Sequence, residues 1–125
     1  MRGWGNELGF SEIGIADTGL AADEARLSAW LAAGRHGEMD YMARHGLRRT
    51  RPGDLVPGTI RVISARLDYQ PPGARDAATV LADSRRAYIS RYALGRDYHR
   101  VLRRRLQRLA DRITAAVGGF RHRVF

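Results

Sequence analysis

The sequence predicts an α/β (α+β) domain, a small sheet with flanking helices. Strand-period alternation appears around Ile13 and Ile63, and a helix-period apolar stripe runs from Val101 to Val117. Helix-length stretches also separate the strand-length ones, the pattern of mixed rather than single-class architectures. The chain has 125 residues, 44% hydrophobic and 28% charged, which suits one small domain with a core of its own and leaves no room for two.

Taken in order, Glu7-Leu8-Gly9-Phe10 reads as the last turn of a short, clipped helix closed by glycine. Ser11 to Ala16 alternates into a strand with Ile13 and Ile15 on one face. A helix over Asp23 to Ala33 places Leu27, Trp30 and Leu31 at i, i+3 and i+4, with Gly34 past its end. Gly34 to Gly58 is irregular, with turn signals at Pro52-Gly53 and Pro57-Gly58 and room for a short helix over Glu38 to Arg44.

Arg61 to Tyr69 is the best strand, with Val62 and Ser64 against Ile63, Ala65, Leu67 and Tyr69, ended by Gln70-Pro71-Pro72-Gly73. Ala74 to Arg86 is either a loop or a weak helix, and Ala87 to Tyr92 reads as a further strand. The clearest element starts at Asp97, a good N-cap residue, and carries Val101, Leu102, Leu106, Leu109, Ile113 and Val117 as one stripe until Gly118-Gly119. Phe120 to Phe125 reads as a last strand, with Phe120, His122 and Val124 on one side, cut in mid-element.

Composition excludes several chemistries. With no cysteine, the chain by itself has no disulfide, thiolate nucleophile or cysteine-held iron–sulfur cluster. His36, His45, His99 and His122 lack the spacing that sets two ligands on one helical face, so no protein-built metal site is expected. There is no apolar run of the ~20 residues a membrane span needs, and no secretory leader at Met1 to Glu7. A cytoplasmic protein without membrane contact is the expectation. The formal charge is +9, and all 22 basic residues are arginine. Such an excess attracts polyanions, RNA first among them, although arginine without lysine is also what a GC-rich coding bias produces.

Three groups of residues stand out. Arg100, Arg103, Arg104, Arg105, Arg108 and Arg112 lie beside or opposite the stripe of the long helix, as a solvated face or as a footprint for RNA phosphate. Tyr98 and His99 sit in its first turn, where unpaired N–H groups favour anions or a polar cofactor edge, with Ser90-Arg91-Tyr92 just upstream. Arg48-Arg49-Thr50-Arg51 is a second cationic loop, either solvated or an anion clamp. On these residues alone the chain is a basic α/β domain with two candidate anion-contacting loops.

Three blocks together resemble the epoxyqueuosine reductase family. They are Gly34-Arg35-His36-Gly37-Glu38-Met39-Asp40-Tyr41-Met42, similar to the family's G-x-H-G-E-M-x-Y-M, then Arg49-Thr50-Arg51-Pro52-Gly53-Asp54-Leu55-Val56-Pro57-Gly58 with the strand and Tyr69-Gln70-Pro71-Pro72 exit that follow, and Ile89-Ser90-Arg91-Tyr92-Ala93-Leu94-Gly95-Arg96-Asp97-Tyr98-His99. Glu7 to Phe10 and Gly14 to Ala16 add a weaker match. The resemblance implies the N-terminal part, residues 1–125, of a cobalamin-binding domain similar to that of reductive dehalogenases.

In the family that domain accompanies a ferredoxin-like domain with two 4Fe–4S clusters and C-terminal tRNA-binding repeats, both absent from this sequence. The implied reaction is reduction of epoxyqueuosine to queuosine at the wobble position of tRNA with queuosine-type anticodons, in a monomer fed by an electron donor. Carried over to this sequence, Arg49 and Ser90 are the cobalamin contacts, with Arg91, Tyr92, Tyr98 and His99 as further candidates. No catalytic residue is expected here, because the family's proton-donor Asp would lie just beyond Phe125. The chain alone is accordingly expected to be inactive, with weak, salt-sensitive RNA affinity. A small RNA-binding module without a cofactor and a truncated, non-functional reading frame are the alternatives.

Overall fold

The computed structural model of the chain describes residues 1–70 and 73–125. Its elements are α1 (Arg2–Glu7), β1 (Glu12–Ala16), α2 (Ala21–Ala32), α3 (Tyr41–Arg44), α4 (Pro52–Leu55), β2 (Val62–Arg66), α5 (Ala77–Leu81) and α6 (Tyr98–Val117), with 3₁₀ turns at Gly46–Arg49 and Arg91–Ala93. The architecture is mixed α and β, with β1 and β2 paired as one antiparallel sheet. The chain divides into two compact units, one of Met1–Ile13, Ala65–Gly119 and Val124–Phe125, the other of Gly14–Ser64 and Phe120–Arg123.

The first unit holds the buried apolar set: Leu8, Phe10 and Ile13 from the N-terminal segment, Leu109, Ala110 and Ile113 from α6. Glycine chemistry makes that set possible at two points. Gly9 adopts φ +81, which turns the chain after α1 so that Phe10 N–H donates back to Gly5 O at 3.0 Å. Gly5 is buried against Ile13, where a Cβ would fall 2.9 Å from Ile13 Cδ1 and closer still to Cγ1. Ser11 N–H donates to Arg66 O at 2.8 Å, and Arg66 pairs with Glu12 at 3.0 Å, which sets this end of the sheet.

Helix α6 is the expected element, capped by Asp97, whose carboxylate accepts from His99 N–H at 3.0 Å. Its stripe is covered unevenly. Leu109 and Ile113 are buried and Val101, Leu102 and Leu106 half-buried, whereas Val117 is 72% exposed. The ambiguous stretch after residue 74 contains one short helix, α5, because Asp76 caps it by accepting from Thr79 N–H at 3.0 Å. The strand expected over Ala87 to Tyr92 does not form. Tyr88, Ile89 and Tyr92 are exposed, no strand lies alongside among the described residues, and Ala93 N–H closes a 3₁₀ turn onto Ser90 O at 2.9 Å.

In the second unit α2 starts two residues earlier than Asp23 and ends on Ala33 as C-cap, followed by Gly34 at φ +65. Leu27, Trp30 and Leu31 are its half-buried face. The span from Gly34 to Gly58 is less irregular than its sequence suggests. It contains α3, confined to the end of the Glu38 to Arg44 stretch, a 3₁₀ turn, and α4, which Pro52 opens at its first position. Proline suits that position because the missing N–H has no helical partner to lose.

Phe120 to Phe125 forms no strand either. Phe120 and His122 do share a side, with ring centroids 5.0 Å apart, but no ladder accompanies them among the described residues. Strand β2 is shorter than Arg61 to Tyr69, and its expected proline exit falls on Pro71 and Pro72, outside the described residues.

Candidate functional site

The first turn of α6 gathers three of the six candidate residues. Asp97 Oδ1 accepts from both the backbone N–H of His99, at 3.0 Å, and its Nδ1, at 3.1 Å. A carboxylate only accepts, so Nδ1 carries the proton in this contact. These contacts, the backbone N–H first and the imidazole next, hold the Asp97 carboxyl below the usual range. Tyr98 stacks on His99 with centroids 4.0 Å apart, and Tyr92 meets Tyr98 edge-on at 5.8 Å.

All three rings are exposed, so the ladder has open faces on which a flat ligand can lie. Ser90 is exposed at the start of the 3₁₀ turn, and Arg91 donates from Nη1 to Gln70 Oε1 at 3.2 Å.

Along the outward side of α6 runs an open groove of about 660 Å³. It is formed by Arg100, Arg103, Arg104 and Arg108, with Gln107 between them and Asp97 and His99 at one end. The six arginines grouped by sequence thus divide. Arg105 donates from Nη1 to Gly9 O at 3.2 Å, and Arg112 pairs with Glu7 Oε2 at 2.6 Å. The signal for this division was in the sequence: Arg105 stands four residues before Leu109 and Arg112 three after it, on the same helical face.

The second cationic loop lies in the other unit and is largely committed to structure. Arg49 donates from Nε to Met42 O at 3.0 Å and from Nη2 to Tyr41 O at 2.6 Å, with its guanidinium 5.6 Å over the Tyr41 ring. It therefore ties the loop to the backbone of α3. Arg51 grips Glu24 with two parallel hydrogen bonds of 2.8 Å each, and Thr50 Oγ1 donates to Glu24 Oε2 at 2.9 Å. These bonds, Arg51's first and Thr50's second, lower the Glu24 pKa from 4.5 to about 2 and raise that of Arg51.

As an anion clamp the loop thus keeps Arg48 and the spare N–H groups of Arg49. Sequence reading missed Glu24, which belongs to no local motif, and read Gln70 only as part of the strand exit. It also gave no hint that His36 packs 6.0 Å from Trp30 with a buried Nδ1 that has no hydrogen-bond partner among the described residues. Among the described residues no group of three or more His, Cys, Asp or Glu gathers as a metal site, and no helix is long and apolar enough to cross a membrane.

The fold and site define a basic α/β segment that presents an aromatic ladder and an arginine groove from one long helix. The family model for epoxyqueuosine reductase QueG, DUF1730, matches residues 49–125, and the chain belongs to this family. All six candidate residues fall inside the matched span. The chain is similar to proteins named epoxyqueuosine reductase from Pseudomonas aeruginosa, 59% identical over 125 residues, Burkholderia pseudomallei, 56% over 141, and Vibrio cholerae, 54% over 125. Each alignment covers 100% of this chain but 34% of the relative, so the chain spans about a third of the length of the curated relatives it matches. No solved structure matches.

Proposed function

We propose that residues 1–125 are the N-terminal part of the cobalamin-binding domain of a tRNA epoxyqueuosine reductase, a domain similar to that of reductive dehalogenases. The observation that carries this reading is sequence identity above one half along the entire chain to proteins of that name. In the complete protein the substrate is epoxyqueuosine at the tRNA wobble position and the product queuosine, with an electron donor feeding 4Fe–4S clusters held elsewhere. The setting proposed is a cytoplasmic monomer.

The residues present fit a corrinoid. The open faces of Tyr92, Tyr98 and His99 suit a flat macrocycle with apolar edges. Ser90 and Arg91, on the same unit, suit its amide oxygens. Cobalamin, when bound, supplies the cobalt redox centre that reduces the epoxide. The chain's own part is to bind and orient: Asp97 fixes the His99 ring, and His99 supports Tyr98 by stacking.

The test is absorption titration with cob(II)alamin, following the base-off spectrum, of this chain joined to the remaining two thirds of the Pseudomonas aeruginosa relative. Ser90→Ala, Tyr98→Ala and His99→Ala should each weaken binding, by about tenfold for the aromatic positions. The 125-residue chain alone should bind orders of magnitude more weakly, since half-covered ligands gain too little burial. Unchanged affinity in all three variants would remove these residues from the corrinoid site. The other reading, an RNA-contacting module needing no cofactor, is favoured by the arginine groove of α6.

A further inference from the structure

We infer that the outward face of α6 is a docking surface for a nucleic-acid phosphate backbone, held by Arg100, Arg103, Arg104 and Arg108, while Arg105 and Arg112 serve the fold. The inference deepens the function proposed above and rests on it for the choice of RNA.

The structure separates the two sets of arginines. Arg105 and Arg112 are tied to the N-terminal segment by Gly9 O and Glu7. The side chains of Arg100, Arg103, Arg104 and Arg108 make no hydrogen bond or ion pair among the described residues. The two acids nearby take their hydrogen bonds elsewhere, Asp97 from His99 and Asp111 from Gln107 Nε2 at 2.9 Å, although the Arg100 charge still acts on Asp97 as the smallest of its influences. Arg100 and Arg104, like Arg104 and Arg108, are like charges at i, i+4, a spacing that disfavours a helix. The arrangement thus weakens the helix slightly until an anion lies along it.

Shape and chemistry favour a phosphate backbone over an acidic peptide. From Arg100 to Arg108 the helix rises about 12 Å, the axial length of three to four phosphates of one strand at ~3.4 Å each. The residues lining the groove are all polar or charged, so it offers none of the apolar anchors on which peptide docking depends. Guanidinium forks match phosphate oxygens, and a surface of this kind contacts the backbone without reading bases.

The experiment uses the 125-residue chain and a fluorescein-labelled RNA hairpin, with affinity followed by anisotropy from low to moderate salt. Replacing all four arginines with glutamine should lower the slope of log affinity against log salt by roughly three and cost on the order of a hundredfold at low salt. Arg104→Gln alone should lower that slope by about 0.7 to 0.9, which covers the case of a quadruple variant that does not fold. A charge-matched control, Arg2, Arg35, Arg44 and Arg75 to glutamine, should lose less than about fivefold, since none of the four lines the groove. Two hairpins with different loops should bind alike.

Equal loss in the control would reduce the effect to net charge and overturn the surface. Equally tight, arginine-dependent binding of polyglutamate or anionic phospholipid vesicles would overturn the nucleic-acid assignment, and discrimination between the hairpins would overturn backbone contact. Cobalamin titration as above separates the two ideas. Arginine-dependent RNA binding without any corrinoid binding upholds the surface and sinks the cofactor reading, and corrinoid binding without it does the reverse.

Discussion

The two units of this chain are held together by different physics. In the first, six apolar residues from the N-terminal segment and α6 are buried together, with charged side chains only at the edge. In the second no hydrophobic residue is buried among those described. Its one buried polar residue is Thr50, 8% exposed, hydrogen-bonded to a carboxylate that Arg51 also grips. A hydrophobic core draws its stability from area removed from water and contains no group to titrate. A charged clamp draws it from geometry and protonation, so conditions alone can release it. The lesson is that one short chain divides into a region that mutation should damage most and a region that acid should damage most.

The largest break in that comparison should come from Ile113→Ala, which empties the middle of the α6 contact. Truncating a buried aliphatic of this size costs about 2–5 kcal/mol, enough to abolish cooperative unfolding in a domain of marginal stability. Urea denaturation followed by helical circular dichroism should show it, and an unchanged midpoint would mean the apolar set is not what holds the first unit.

Gly5→Ala comes next, with an expected loss of about 1–3 kcal/mol, because the added methyl overlaps the branched Ile13 side chain in a buried contact. Gly3→Ala is the matched control, as its Cβ meets nothing within 4 Å. Similar effects of the two would show that helix propensity, not packing, governs α1.

Acid should sharpen the contrast without touching the first core. The folded-state pKa of Glu24 is lowered from 4.5 to about 2, so the unfolded chain binds its proton first. Its contribution is therefore present above pH 4.5 and lost as pH falls towards 2. Amide exchange around Thr50 and Arg51 should accelerate across that window while α6 keeps its protection until lower pH. Simultaneous loss in both regions would argue against a local clamp.

The smallest effect should be that of Arg112→Gln. Its partner Glu7 is 63% exposed, and an ion pair this open contributes at most about 1 kcal/mol. Thermal unfolding with and without added salt measures it, and a larger, salt-independent loss would promote Arg112 from edge to core.

The sequence by itself determined the elements that carry their own signals. Asp97 as cap, the stripe through Leu109 and Ile113, and Gly118 as stop specify α6 locally, because capping and helical periodicity involve neighbours within a few residues. Gly9 and Gly34 likewise mark ends that only a left-handed residue closes readily. The Tyr98-His99 turn was legible for the same reason.

Tertiary structure decided what depends on a partner far along the chain. Ala87 to Tyr92 and Phe120 to Phe125 have strand-like alternation, but a strand exists only where another edge supplies hydrogen bonds, and none does among the described residues. Ile13 and Ile15 share the expected strand, yet only Ile13 is covered, at 6% exposure against 57%. Helical spacing already set Arg105 and Arg112 on the Leu109 face, but their partners, like those of Arg49 and Arg51, were decided in the same way. Arginine reads identically in sequence whether it meets solvent, a carbonyl or a carboxylate, and only the folded chain brought Tyr41, Glu24, Gly9 and Glu7 within reach of the four guanidiniums.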